Sequence, residues 1–123
     1  MSKKDRRFDL YLDDMLLSIQ HIEEYIKDID YPAFKKNYMI VDAVIRNFEI
    51  IGEAANNIPQ HIKDKYPDLP WKKMYGLRNL ISHEYFTIDY ELIWEIATKD
   101  LPKNKATLIN IISAFMSGNK LNQ

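Results

Sequence analysis

Arg78, His83 and Tyr85 put a fixed cation, an imidazole and a phenol within one short stretch, Gly76-Leu77-Arg78-Asn79-Leu80-Ile81-Ser82-His83-Glu84-Tyr85-Phe86. A guanidinium stays charged at any working pH and presents a planar fork of donors that fits phosphate oxygens. An imidazole titrates near neutral pH and can carry protons to and from a ribose hydroxyl. A phenol offers a ring face for stacking and a hydroxyl for hydrogen bonding or modification. Together they suit RNA transesterification: a 2′-hydroxyl attacks the adjacent phosphate, His83 moves protons, and Arg78 stabilises the added negative charge. That route needs no metal and no cofactor. The plainer alternative is a His that braces a helix end and an Arg placed for the C-terminal dipole. In that case Tyr85 and Phe86 are core aromatics, and the motif alone leaves both readings open.

Geometry constrains the first reading. In a continuous helix turning about 100° per residue, Arg78 and Tyr85 share a face while His83 lies about 140° round from Arg78. One phosphate cannot be reached from both positions. Either the helix breaks near Ser82–His83, or groups from two chains converge across a two-fold interface.

The elements around the motif read as helices. Phe8, Leu12, Met15, Leu16, Ile19, Ile22 and Ile26 recur at steps of three and four and predict a first amphipathic helix. Asp28 to Pro32 breaks it. A second helix is predicted from about Tyr38 to Ile58, with Val41, Val44, Ile45, Phe48, Ile51 and Ala55 inward; Pro59 closes it or starts a short segment to Lys65. Pro70 suits the first turn of a helix from Trp71 to about Ser82. Thr87-Ile88-Asp89 offers an N-cap for the next, with Leu92, Ile93, Ile96 and Ala97 inward. Pro102 should kink or restart that helix, and Leu108, Ile111, Ile112 and Phe115 continue an apolar face to Gly118. Met15, Met39, Met74 and Met116 read as core filler, and nothing reads as a strand. Short connections between such helices predict an all-α, up-and-down antiparallel bundle of four to five helices.

Composition bounds the function. The 123 residues suit a single domain spanning 1–123, with its core at about 8–116 and frayed ends. A net charge of −1 argues against coating nucleic acid through bulk electrostatics. Positive charge for a nucleic-acid enzyme must then be local, or doubled by a symmetric partner. The absence of Cys excludes thiolate metal sites and agrees with a cytoplasmic location. No apolar run approaches membrane-spanning length, and none resembles a signal peptide.

Other candidates are weaker. His21 with Glu24, three apart, could share a helix face as a metal pair, but two ligands without a third make a poor site; His61 reads as exposed, and Lys72 and Lys73 either steer RNA or are simply solvated. Asp42, Arg46, Glu49, Glu53 and Asn56 form a polar stripe along the second helix. It is either a solvated face with Arg46–Glu49 pairing, or the lining of a groove or interface. Gly52, beside it, would let a neighbouring backbone approach closely.

The spacing Arg78, four residues, His83, one residue, Tyr85 resembles the Arg-x4–6-His-x-Tyr signature of the HEPN superfamily, specifically its HepT-like toxins. The resemblance extends over Ala43 to Ala55, over Pro70-Trp71 with Met74 to Asn79, and over Ile93-Trp94-Glu95-Ile96 through Asp100-Leu101-Pro102, covering most of residues 8–116. It implies a HEPN-like helical bundle that forms a homodimer and cleaves RNA, a metal-independent endoribonuclease with Arg78 and His83 catalytic. It also implies that Asn79 and Tyr85 support the site, and that Arg46, Glu49 and Glu53 serve an interface or the site. The implied partner is a minimal nucleotidyltransferase antitoxin of a type II toxin–antitoxin system, able to transfer AMP to Tyr85. The competing expectation is a non-catalytic, nucleotide-binding or scaffolding subunit of a nucleotidyltransferase complex.

Overall fold

The structure, a computed structural model, describes residues 7–82 and 87–121. Helix α1 (Phe8–Ile26) is followed by the short α2 (Tyr31–Lys36), the long α3 (Tyr38–Asn56), and the short α4 (Gln60–Lys65) and α5 (Trp71–Gly76). A 3₁₀ turn (Leu77–Asn79) extends α5. Strands β1 (Ile81–Ser82) and β2 (Thr87–Ile88) come next, and then one unbroken helical run: α6 (Tyr90–Glu95), a π-helical turn (Ile96–Asp100) and α7 (Leu101–Leu121). The all-α expectation holds, with more and shorter pieces than four to five helices.

Local chemistry explains most boundaries. The carboxylate of Asp30 accepts from the Ala33 amide at 3.1 Å and caps α2, with Pro32 in the first turn where its missing N–H costs nothing. The break expected over Asp28 to Pro32 is found, shorter, at residues 27–30, and this six-residue helix begins within the expected segment, at Tyr31. Asn37 ends α2 and starts α3: its amide donates to the Phe34 carbonyl at 3.0 Å, and its side chain accepts from the Ile40 amide at 3.2 Å. Asp89 caps α6 as expected, accepting from the Leu92 amide at 3.0 Å.

Pro102 acts one turn upstream of itself. In an α-helix its ring would collide with the Thr98 carbonyl. Here the helix widens over Ile96–Asp100, and the Leu101 amide donates to the carbonyl of Ile96, five residues back. The predicted kink is therefore a π bulge, and the helix continues.

The core is the shared interior of α1, α3 and the α6–α7 run. Leu12, Met15, Ile19 and Ile22 of α1 meet Val41, Val44, Phe48, Ile51 and Ala55 of α3, with Ile93, Leu101 and Leu108 closing the third side. Phe34 of α2 lies buried under Trp94, ring centroids 5.1 Å apart, and Phe8 meets Phe115 edge-on at 4.7 Å, tying the start of α1 to α7. Each buried Leu, Ile or Phe contributes about 1.5–3 kcal/mol. The half-exposed Lys105–Glu23 pair at 2.8 Å, also between α1 and α7, adds at most about 1 kcal/mol. Apolar packing holds the bundle.

Three expectations fail. The helix from Trp71 does not reach Ser82: it tightens at Leu77, ends at Asn79, and the chain turns extended, with Ile81 opposite Ile88 and Ser82 opposite Thr87 in an antiparallel pair. Met39 and Met116 are surface residues, 67% and 54% exposed, whereas Met15 and Met74 are buried as read. Leu92 is likewise exposed while Ile93, Ile96 and Ala97 are buried. Among the described residues no helix is long and apolar enough to cross a membrane.

Candidate active site

Arg78 occupies the 3₁₀ turn at the end of α5, where the chain leaves helical backbone. Its seat is made by α3. Gly52, buried on the face of α3 that meets this turn, lies so close that an added Cβ would overlap Arg78 Cγ. The same atom would stand 2.9 Å from the Tyr75 carbonyl oxygen and 3.0 Å from the Arg78 amide nitrogen. The close backbone approach expected at Gly52 is found, and its partner is the segment that carries Arg78.

This gives a prediction whose sign is decided by magnitudes. Within a helix, Gly→Ala ordinarily stabilises by about 0.5–1 kcal/mol. At Gly52 the methyl group meets backbone atoms that cannot swing aside, and overpacking of this kind costs about 1–3 kcal/mol. Gly52→Ala is therefore expected to lower the urea-unfolding free energy and to weaken any activity that depends on Arg78. A gain of about 1 kcal/mol would contradict the packing described.

The guanidinium is held from two sides. Arg78 Nη1 stands 3.4 Å from Glu53 Oε2, and the Arg78 Cζ lies 5.4 Å from the Tyr75 ring centroid. Glu53 is itself steadied by Asn57, whose side-chain amide donates to the Glu53 carbonyl at 2.8 Å and reaches Oε1 at 3.4 Å. Arg78 and Glu53 side chains remain 38% and 36% exposed, so their pair is worth about 0–1 kcal/mol of stability. Its consequence is orientation: a carboxylate and a ring face restrict a long side chain that still has donors open to solvent. Asn79, next in the turn, is exposed on the same segment.

The polar stripe of α3 divides. Glu53 belongs to the Arg78 cluster, whereas Arg46 and Glu49 form a separate exposed pair at 3.7 Å, with side chains 69% and 48% accessible. Asp42 and Asn56 are exposed. His83 and Tyr85, expected as proton carrier and modifiable phenol, lie outside the described residues, between the paired Ser82 and Thr87 in the chain. Two members of the cluster were missed in the sequence, Asn57 and Tyr75. Their signal was present: Asn57 follows Glu53 by four residues and Tyr75 precedes Arg78 by three, both same-face spacings on a helix.

His21, Glu24 and His61 are exposed, and among the described residues no three His, Cys, Asp or Glu side chains gather in a way that could hold a metal ion. The described part of the site therefore offers a fixed cation, an exposed amide at Asn79 and an aromatic wall at Tyr75. That set suits an anionic, ring-bearing ligand such as a nucleotide phosphate.

Comparison with known proteins agrees with this chemistry. The family Ribonuclease HepT-like matches residues 15–111. The chain is 50% identical over 105 residues to "Putative RNase MJ1380" of Methanocaldococcus jannaschii, covering 85% of this chain and 94% of that protein. It is 37% identical over 93 residues to "Putative RNase TTE0752" of Caldanaerobacter subterraneus subsp. tengcongensis, covering 76% and 83%. It is also 38% identical over 95 residues to "Probable ribonuclease HepT" of Thermococcus cleftensis, covering 77% and 86%. No solved structure matches.

Proposed function

Because the chain belongs to the HepT-like ribonuclease family, we propose that it is an endoribonuclease toxin in which Arg78 and His83 act on one RNA phosphodiester without a metal. In this reading the ribose 2′-oxygen bonds to phosphorus while the bond from phosphorus to the 5′-oxygen breaks. His83 takes the proton from the 2′-hydroxyl, and the departing 5′-oxygen takes a proton from water. Arg78 donates to the phosphate oxygens, where negative charge builds up. The products are a 2′,3′-cyclic phosphate and a 5′-hydroxyl.

The observation that carries the proposal is the seat of Arg78. A guanidinium braced by Glu53 and Tyr75 stands where the helix gives way to an extended strand, and that strand leads directly into His83. The continuous helix that would have held His83 about 140° away from Arg78 is not formed. Asn79 then supports the phosphate beside Arg78. Glu53 is a positioning residue, acting through Arg78, and Arg46 with Glu49 belongs to an interface between two copies of the chain.

Neutralisation follows the same electrostatics. A minimal nucleotidyltransferase antitoxin that transfers AMP from ATP to the Tyr85 hydroxyl, with pyrophosphate leaving and the phenolic proton released, adds a phosphodiester close in sequence to Arg78 and His83. Its negative charge competes with the substrate phosphate for the same guanidinium.

Incubating the purified chain with RNA in excess EDTA tests the proposal. Cleavage is expected to persist and to leave 2′,3′-cyclic phosphate ends. Nucleotide binding with no cleavage would overturn the proposal in favour of a scaffolding subunit, and loss of cleavage in EDTA would overturn the metal-free route.

A further inference from the structure

Beside the Arg78 cluster lies a groove of about 820 Å³ between the C-terminal end of α3, α4 and the start of α5. Tyr75 belongs to both places: its ring lies under the Arg78 guanidinium and its side chain lines the groove. Three lysines, Lys63, Lys72 and Lys73, line it against a single acid, Asp64. None of the three is in an ion pair among the described residues, and Asp64 already accepts from the Gln60 side-chain amide at 2.9 Å. In a chain of net charge −1 this is a local surplus of uncommitted positive charge. The apolar part of the lining is Pro67, Pro70 and Trp71, whose indole is fixed by its Nε1–H donating to the Tyr66 carbonyl at 2.9 Å.

Cations, a fixed apolar wall and an exposed ring in one groove are the parts that single-stranded nucleic acid requires. Backbone phosphates pair with the cations, and bases stack on ring faces without sequence preference. An acidic protein surface would use the lysines but would gain nothing from a Tyr ring shared with the phosphate-binding Arg. We infer that this groove is the path of the single-stranded RNA flanking the scissile phosphate, entering over Lys63, Lys72 and Lys73 and reaching Arg78 across Tyr75. The inference rests on the ribonuclease proposal only in placing RNA at Arg78.

Binding separates the two. The probe is a fluorescent single-stranded oligoribonucleotide with 2′-O-methyl groups throughout, which has no 2′-hydroxyl to attack and so reports affinity alone. The triple variant Lys63→Gln/Lys72→Gln/Lys73→Gln is expected to bind it roughly tenfold more weakly at moderate salt. The slope of log affinity against log salt should shrink by about 2, if each lysine neutralises one phosphate of a single strand. Lys27→Gln/Lys35→Gln/Lys36→Gln, an equal loss of charge at three exposed lysines around α2, should leave affinity within about twofold of the wild type. On cleavable RNA the groove variant should raise KM with kcat nearly unchanged.

Equal weakening by the two triple variants would reduce the groove to general charge and overturn the inference. So would a wild type that does not bind the probe, or a groove variant with unchanged affinity and slope; the last result would give the groove to an acidic protein surface instead. A wild type that binds the probe through the groove lysines but never cuts RNA would end the ribonuclease proposal and leave the groove assignment standing.

Discussion

Replacing His83 with Ala is expected to lower kcat/KM for RNA cleavage by about 10²–10⁴-fold, the usual contribution of a positioned general acid–base. The expectation follows from the division of labour in the site. Arg78 brings a planar fork of N–H donors and no acceptor. Glu53 is occupied with Arg78 and Asn57. His83 is left as the group that can exchange protons near neutral pH within the stretch that follows Arg78. If the loss is one of chemistry, helical content and unfolding free energy should change little, and circular dichroism with urea unfolding checks this. In cells the same variant should permit growth where the wild type arrests it. Retained toxicity would remove His83 from the mechanism.

The second large effect is at Arg78. Arg78→Ala is expected to cost about 10²–10³-fold in kcat, the range seen when one preorganised donor to a developing oxyanion is removed. Arg78→Lys restores the charge without the planar fork, so its activity should fall between the two, with at least about tenfold recovered over Ala. Stability should move little in either variant, since the pair with Glu53 is more than a third exposed on both sides and worth about 0–1 kcal/mol. Single-turnover cleavage together with urea unfolding separates these outcomes. If Arg78→Ala lost several kcal/mol of stability and activity together, the guanidinium would be a structural brace.

Much of this was legible in the sequence because it is periodic or local. The apolar faces of α1 and α3 repeat at helical spacing through Leu12, Met15, Ile19 and Ile22 and through Val41, Val44, Phe48 and Ile51, and those residues are the core. Asp89 caps α6 through its own side chain, a local contact that spacing alone reveals. The early end of the Trp71 helix was not legible. Its cause is non-local: Ile81 and Ser82 pair with Ile88 and Thr87 across the four intervening residues, which favours extended backbone where continued helix looked equally plausible. The exposed methionines, Met39 in the first turn of α3 and Met116 late in α7, show that apolar residue type near a helix end says little about burial.

The site followed the same division. The type and spacing of Arg78 single it out as a candidate, and Gly52 stands out by its missing side chain beside a polar stripe. That Gly52 exists for Arg78, however, depends on how α5 packs on α3, and helical periodicity carries no such information. The stripe on α3 is continuous in sequence yet serves two ends. Glu53 meets Arg78 in the turn after α5, while Arg46 and Glu49 form a separate exposed pair.

The central claim is that a guanidinium and an imidazole act as one unit on one phosphodiester. A double-mutant cycle on kcat/KM, using Arg78→Ala, His83→Ala and the double variant, tests it most directly. The account predicts strong non-additivity, with the double variant within about tenfold of the slower single variant, as for catalytic groups that work as a unit. Losses that multiply in full would show the two residues acting independently and would contradict it.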